Sequence, residues 1–165
     1  MWTIFKLDKK KYSLLKSDFK KKLGDDFIFY SPKMKFQKFR KNKLSNFDFD
    51  LMGNYVFCFH KSFSQNSNLS ILKFSRGLKY FLNGYTQSQF EISNFIKKCK
   101  SLEDKDGYIS SNFFKICRNK TYKFSSGPFS EKLFKIIDLQ KNQIEILMGN
   151  IKTTISKQKF LYKPV

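Results

Sequence analysis

The chain has 165 residues, 41% of them hydrophobic and 18% aromatic, with 33 Lys and Arg against 13 Asp and Glu for a formal charge of +20. That apolar content can build a core and excludes global disorder, and no run of 18 or more apolar residues is present to form a membrane-spanning helix. The charge points to a polyanionic partner, but nearly all of it is Lys, with Arg only at positions 40, 76 and 118. Arg supplies most bidentate contacts to bases and phosphates, so the balance favours general attraction over sequence-specific readout. A Lys-, Asn-, Ile- and Phe-rich composition also follows from an AT-rich genome. The opening MWTIFKLDKKKYS has no apolar core followed by small residues, so no secretion leader is expected and the expected location is cytoplasmic.

Residues 2–7, WTIFKL, predict a short strand. Next, Tyr12, Leu15, Phe19 and Leu23 fall on one stripe of a helix, with Asp8 as N-cap, Gly24 as stop and lysines over the remaining surface. DDFIFYSP predicts a strand ended by Pro32. KMKFQKFRKNK, where Met34, Phe36 and Phe39 partly alternate with basic residues, predicts a twisted hairpin arm. The alternation in LSNFDFDLMGNYVFCFH becomes continuous from Tyr55 to Phe59, as expected of a central strand covered on both faces, after a bend at Gly53-Asn54. Within that strand Tyr55 and Phe57 share one face and Val56 takes the other.

NSNLSILKFSRGLKYFLNG predicts a short helix, a turn at Arg76-Gly77 and a strand. SQFEISNFIKKCK has Ser88 and Glu91 in capping-box spacing and Ile92, Phe95, Ile96 and Cys99 on one side, which predicts a further helix. The polar stretch that follows reads as a linker. Beyond it FFKIC, KTYKF, KLFKII, QIEILM, KTTIS and KFLY predict short strands, turned at Gly127-Pro128, at 140–142 and at Gly149-Asn150. That spacing reads as a small barrel. The expected organisation is an α+β domain over residues 1–100, a linker over 101–112 and an all-β module over 113–165.

Signatures of catalysis are missing. There is no Walker loop, no G-x-S-x-G, no HExxH and a single histidine, so no enzymatic activity is expected. Cys58, Cys99 and Cys117 are odd in number and widely spaced, which gives neither a disulfide framework nor a CxxC pair. Cys58, two residues from His60, reads as a small buried strand residue. DKDG resembles the centre of an EF-hand loop, but Leu102 and Phe113 would occupy its first and twelfth positions, so calcium is excluded. No metal or cofactor is expected.

The order of elements, and three short motifs within it, resemble the NusG family of transcription elongation factors, in which an N-terminal NGN domain is joined to a C-terminal KOW barrel. DLMGNYVFCF is similar to the family's P-L-F-P-G-Y-V-F-V through Tyr55, Val56 and Phe57. SRGLKYFL is similar to R-G-V-x-x-F-L through Arg76, Gly77, Leu78, Phe81 and Leu82, and SSGPF matches the opening turn of the KOW motif at Gly127, Pro128 and Phe129. The likeness covers nearly the whole chain, beginning with Trp2 and the basic helix. Two departures stand out. Gly53-Asn54 replaces Pro-Gly before the tyrosine, and the KOW glycine that follows G-P-F falls here at Leu133 or Phe134. These divergent signatures look more like a specialised RfaH-type paralogue than the housekeeping factor.

The resemblance implies a monomeric, non-catalytic factor that docks on the clamp helices of RNA polymerase through an apolar depression to which Met52, Tyr55 and Phe57 contribute. Docking would suppress pausing or termination by favouring one conformational state of the enzyme. The Tyr55 hydroxyl favours a wet boundary, while filling the domain core is the competing reading for both aromatics. A basic face near upstream or non-template DNA is also implied, with Lys9, Lys10, Arg40 and Arg76 as candidates; ordinary solvation is the competing reading for the lysines. The KOW module would recruit a small-subunit ribosomal protein or a termination factor through Phe129, Ile146 and Met148, with plain core packing the competing reading for Ile146. Some RfaH-type members fold this region as a helical hairpin. Here Leu133, Ile136, Ile137, Gln140, Ile144 and Leu147 form a helical stripe in a segment that also alternates, so an α-helical hairpin is the alternative fold. A ribosome-associated, KOW-containing RNA-binding protein is the alternative function.

Overall fold

Alternation in WTIFKL sets the first layers: strand β1 (Trp2–Leu7) buries Thr3, Phe5 and Leu7 on one face and turns Trp2, Ile4 and Lys6 to the other. The computed structural model describes residues 1–40, 43–64, 66–109, 113–157 and 159–165, without the side chains of 38–40 and 66–68. Its chain divides into two units, Met1–Pro32 with Asp50–Ser101, and Lys33–Phe49 with Leu102–Val165.

In the first unit β1 lies within an antiparallel sheet of order β2-β5-β1-β6, with β2 at Ile28–Tyr30, β5 at Tyr55–Phe59 and β6 at Leu78–Phe81. Helices α1 (Tyr12–Leu23) and α2 (Asn66–Leu72) cover one face, where Phe5, Leu7, Val56 and Cys58 pack with Leu15, Phe19, Leu69 and Leu72. Helix α3 (Gln89–Ser101) covers part of the other, setting Ile92 and Ile96 on Phe57 with Trp2, Ile4, Tyr30 and Met52 around them. The expected α1 stripe narrows to Leu15 and Phe19 at its centre, and Tyr12 is 41% exposed. The Asp8 carboxylate accepts from the Lys10 N–H at 3.0 Å and caps a 3-10 turn that leads into α1; Gly24 ends the helix by donating to the Lys20 carbonyl at 2.9 Å. Strand β6 pairs with β1 no further than Phe5 in the ladder, and the Gln89 amide continues it. Gln89 Nε2 donates to the Trp2 carbonyl at 2.7 Å, and Oε1 accepts from the Trp2 N–H at 2.9 Å.

The second unit is β-rich. Strands β7 (Thr121–Phe124), β8 (Leu133–Leu139), β9 (Gln143–Met148), β10 (Ile151–Ser156) and β11 (Tyr162–Pro164) form an antiparallel sheet of order β10-β9-β8-β7-β11. Its inner face converges on one core of Tyr122, Phe124, Phe134, Ile136, Ile144, Ile146, Phe160 and Tyr162, so the sheet curls in the manner of a small, partly open barrel. A bulge between Ile136 and Asp138 adds to the curl. The fold is thus mixed α+β, an antiparallel sheet with flanking helices followed by a β-rich C-terminal unit. Segment 133–148 is two strands, not a helical hairpin: Phe134, Ile136, Ile144 and Ile146 point inward at period two.

Three sequence expectations differ from this arrangement. FFKIC is not a strand, because its polar groups are met otherwise: the Cys117 N–H donates to the Tyr122 hydroxyl at 2.9 Å. The hairpin arm, β3 (Lys33–Arg40) and β4 (Lys43–Asp50), groups up to Phe49 with the C-terminal unit instead of residues 1–100. Residues 102–109, expected as linker, fold onto that arm. The Ile109 N–H donates to the Lys33 carbonyl at 2.7 Å, and Lys35 pairs with Asp106 at 3.0 Å. The Tyr108 hydroxyl donates to Asp48 at 3.1 Å, and Ile109 is buried. Residues 110–112 of the expected linker lie outside the described residues.

Candidate functional site

Three neighbouring strands bring Tyr55, Lys6 and Tyr80 into one row, since Lys6 is the register partner of Tyr55 on one side and of Tyr80 on the other. The two hydroxyls lie 2.9 Å apart, and Lys6 Nζ sits 5.5 and 5.7 Å from the two ring centroids. The hydrogen bond separates the two phenols, pushing Tyr80 below and Tyr55 above the ordinary tyrosine value. Tyr80 is 45% exposed and Tyr55 half-buried. Of the three residues expected at a docking surface, Tyr55 therefore reaches solvent and Met52 is half-buried at the edge of the α3 cluster. Phe57 does not reach it: at 2% exposed it lies beneath Ile92 and Ile96. Lys6 and Tyr80 escaped the sequence reading, although a lone charge inside WTIFKL was a usable signal.

The Arg76-Gly77 pair forms the turn that leads into β6 in the same unit, where the Asp8 N–H donates to the Gly77 carbonyl at 2.8 Å. Arg76 grips Asp18 of α1 three ways, from Nη2 at 2.6 Å, from Nε at 3.1 Å and from its backbone N–H at 2.9 Å. Gly77 has φ +84°, and a Cβ there would stand 2.8 Å from Lys11 Cβ. The β6 turn thus packs on the middle of α1 through Arg76 and on the turn before α1 at Gly77, and the Arg76 guanidinium is committed within the fold. Lys9 is ion-paired with Asp50, whereas Lys10 carries no ion pair among the described residues. The side chain of Arg40 lies outside the described residues. An open cleft of about 500 Å³ beside α1 is lined by Tyr12, Lys16, Lys20, Asp25, Phe27, Ile28 and Phe29, with Lys20 paired to Asp25 at 2.8 Å.

Arg76 holds the Asp18 carboxyl well below the usual carboxylate range. A lowered folded-state pKa stabilises above the unfolded value of about 3.9, and that contribution is lost as pH falls through the folded value. Asp18→Asn is expected to lower the thermal midpoint at pH 7, and the gap from the native chain should shrink steadily below about pH 4. A gap independent of pH would contradict the ion-pair reading.

In the second unit the Gly127-Pro128 turn seats the arm. The Gln37 N–H donates to the Ser125 carbonyl at 2.6 Å, Gln37 Oε1 accepts from the Gly127 N–H at 3.0 Å, and the Ser130 hydroxyl donates to the Gln37 carbonyl. Gly127 has φ +74°, and a Cβ on it would lie 2.7 Å from the Phe160 ring. Glu131, with φ +72°, supplies the second left-handed residue, so the chain enters β8 without a glycine at 133 or 134. Phe129 is 38% exposed and leans on Phe124 and Phe160 at centroid distances of 5.7 and 5.9 Å. Ile146 is 1% exposed and serves the core, and Met148 is half-buried at its margin.

His60 is buried with Nδ1 2.6 Å from the Ser62 hydroxyl, and burial pushes the Cys58 thiol up, which suits an inert core thiol. Among the described residues no helix is long and apolar enough to cross a membrane.

No protein-family model matches the chain, and no curated protein does. Solved structures similar to it over nearly their whole length include the following two. One is the crystal structure of the MjSpt4:Spt5 complex in conformation B, at 15% identity over 100% of this chain and 99% of that one, with a TM-score of 0.33. The other, of Thermotoga maritima NusG and its domain interaction, has 10% identity over 99% and 96% of the two chains, with a TM-score of 0.32.

Proposed function

We propose that this chain is a non-catalytic transcription elongation or antitermination factor that docks on the clamp helices of RNA polymerase through the Tyr55 end of its first sheet. The observation that carries this reading is the hydrogen-bonded tyrosine pair left open on a sheet face that α3 covers only in part. Aromatic rings at such a boundary bury much area at low conformational cost, which is where binding energy concentrates. The order of the Tyr55, Arg76-Gly77 and Gly127-Pro128 motifs supports the same assignment. The charge of +20, with Lys10 and with Lys16 beside Tyr12, suits a surface facing upstream or non-template DNA. In the second unit exposed Phe129 and marginal Met148 are the contacts offered to a small-subunit ribosomal protein or a termination factor.

Affinity capture with the full chain from its own cell extract tests the reading. Retention of RNA polymerase is the expected result. Retention of ribosomal subunits without polymerase would replace it with the ribosome-associated RNA-binding function.

A further inference from the structure

Lys6 is the one charge in a strand whose other residues are apolar or threonine. In the same unit Lys9, Lys20, Lys61 and Arg76 each stand within salt-bridge distance of an Asp, but Lys6 has no carboxylate at that distance among the described residues. Its ammonium lies between two rings, and the hydroxyls of those rings are bonded to each other. Lys6 also acts on both phenol oxygens, so the row offers outward the ammonium N–H groups not turned to them, with no carboxylate of its own among the described residues.

We infer that the Tyr55–Lys6–Tyr80 row reads a carboxylate, an Asp or Glu side chain on the helix that docks against this sheet face. This rests on the polymerase-docking reading and names the chemistry that gives it specificity. A carboxylate reaching Lys6 would be flanked by two rings that exclude water from the contact, so the pair is stronger than one on open surface. A protein acid fits better than a nucleic-acid phosphate. Phosphates run in series and need a track of cations, whereas this row holds a single ammonium beside half-buried Met52 and the margin of an apolar cluster. Tyr80 acts as a positioning residue, fixing the Tyr55 hydroxyl and walling Lys6 on its second side.

The test titrates core RNA polymerase with the full chain and with Lys6→Arg, Lys6→Met, Lys6→Glu and Tyr80→Phe, at low and at physiological salt. Lys6→Met is expected to weaken binding about tenfold, with a shallower salt dependence than the native chain. Lys6→Glu should weaken it further, and Lys6→Arg should keep most of it. Tyr80→Phe should cost a few-fold at an unchanged thermal midpoint. An acidic clamp-helix residue changed to Lys should restore binding to Lys6→Glu. Equal binding by the native chain, Lys6→Met and Lys6→Glu, with Tyr55→Ala still defective, would overturn the carboxylate reading and leave polymerase docking standing. Loss in Lys6→Arg as large as in Lys6→Met would also overturn it. Absence of binding by the native chain would overturn both.

Discussion

Truncating Phe57 to alanine is expected to lower the stability of the first unit by about 3–5 kcal/mol, the cost of an emptied aromatic site in a packed core. The ring is 2% exposed, lies 5.6 Å from Phe95 and 6.3 Å from Tyr30 between centroids, and carries the inner surface of α3. Removing it leaves Ile92 and Ile96 facing a void too apolar to hold water, so the helix loses its seat on the sheet. Urea unfolding measures the change directly, and a loss under about 1 kcal/mol would show that α3 is not held there. The variant also bears on function. Phe57 stands two residues from Tyr55 on the same sheet face, so motif reading groups them, but one is a core residue and the other is half-buried at the edge of that core. Tyr55→Ala should leave the unfolding midpoint close to that of the native chain.

Gly127→Ala carries the second large effect, and it falls on the second unit. The substitution places a methyl group 2.7 Å from the Phe160 ring at a backbone angle of φ +74° that side chains rarely adopt. Left-handed strain and a displaced core ring together are expected to cost roughly 2–4 kcal/mol. The damage should reach the arm as well, because the Gly127 N–H and Ser130 hydroxyl hold Gln37. Hydrogen exchange is the informative probe: amides of β7 and of β3 near Gln37 should lose protection together. Faster exchange in β7 alone would mean that the arm is held by other contacts.

Local pattern made most of the elements legible. Short apolar runs found β1 and β5, runs at close turn spacing found most strands of the second unit, and the Leu15–Phe19 spacing found α1, because each element buries at least one face. The Gly127-Pro128 turn was legible as a turn for the same reason that Gly24 was legible as a helix stop. What it seats was not, since Gln37 lies 90 residues away from Gly127. Arg76 drew attention as a rare arginine in a motif, but its partner Asp18 is 58 residues distant and leaves no local trace. The arm shows the same limit. Its alternating residues predict a hairpin, while its membership of the second unit depends on Ile109, Asp106 and Gln37 pairings that no window of sequence contains. Alternation placed Tyr55 and Phe57 on one face without showing how far along it α3 extends, and that extent separates half-buried Tyr55 from buried Phe57.

The central claim is that the Tyr55 end of the first sheet is where this chain meets RNA polymerase, and one comparison tests it most directly. Purified core polymerase is titrated with the native chain and with Tyr55→Ala, each checked for the same thermal midpoint. The account predicts tight binding by the native chain and a loss of at least about tenfold in the variant, the effect of removing an aromatic anchor from an interface. Equal affinity of the two folded proteins would contradict it.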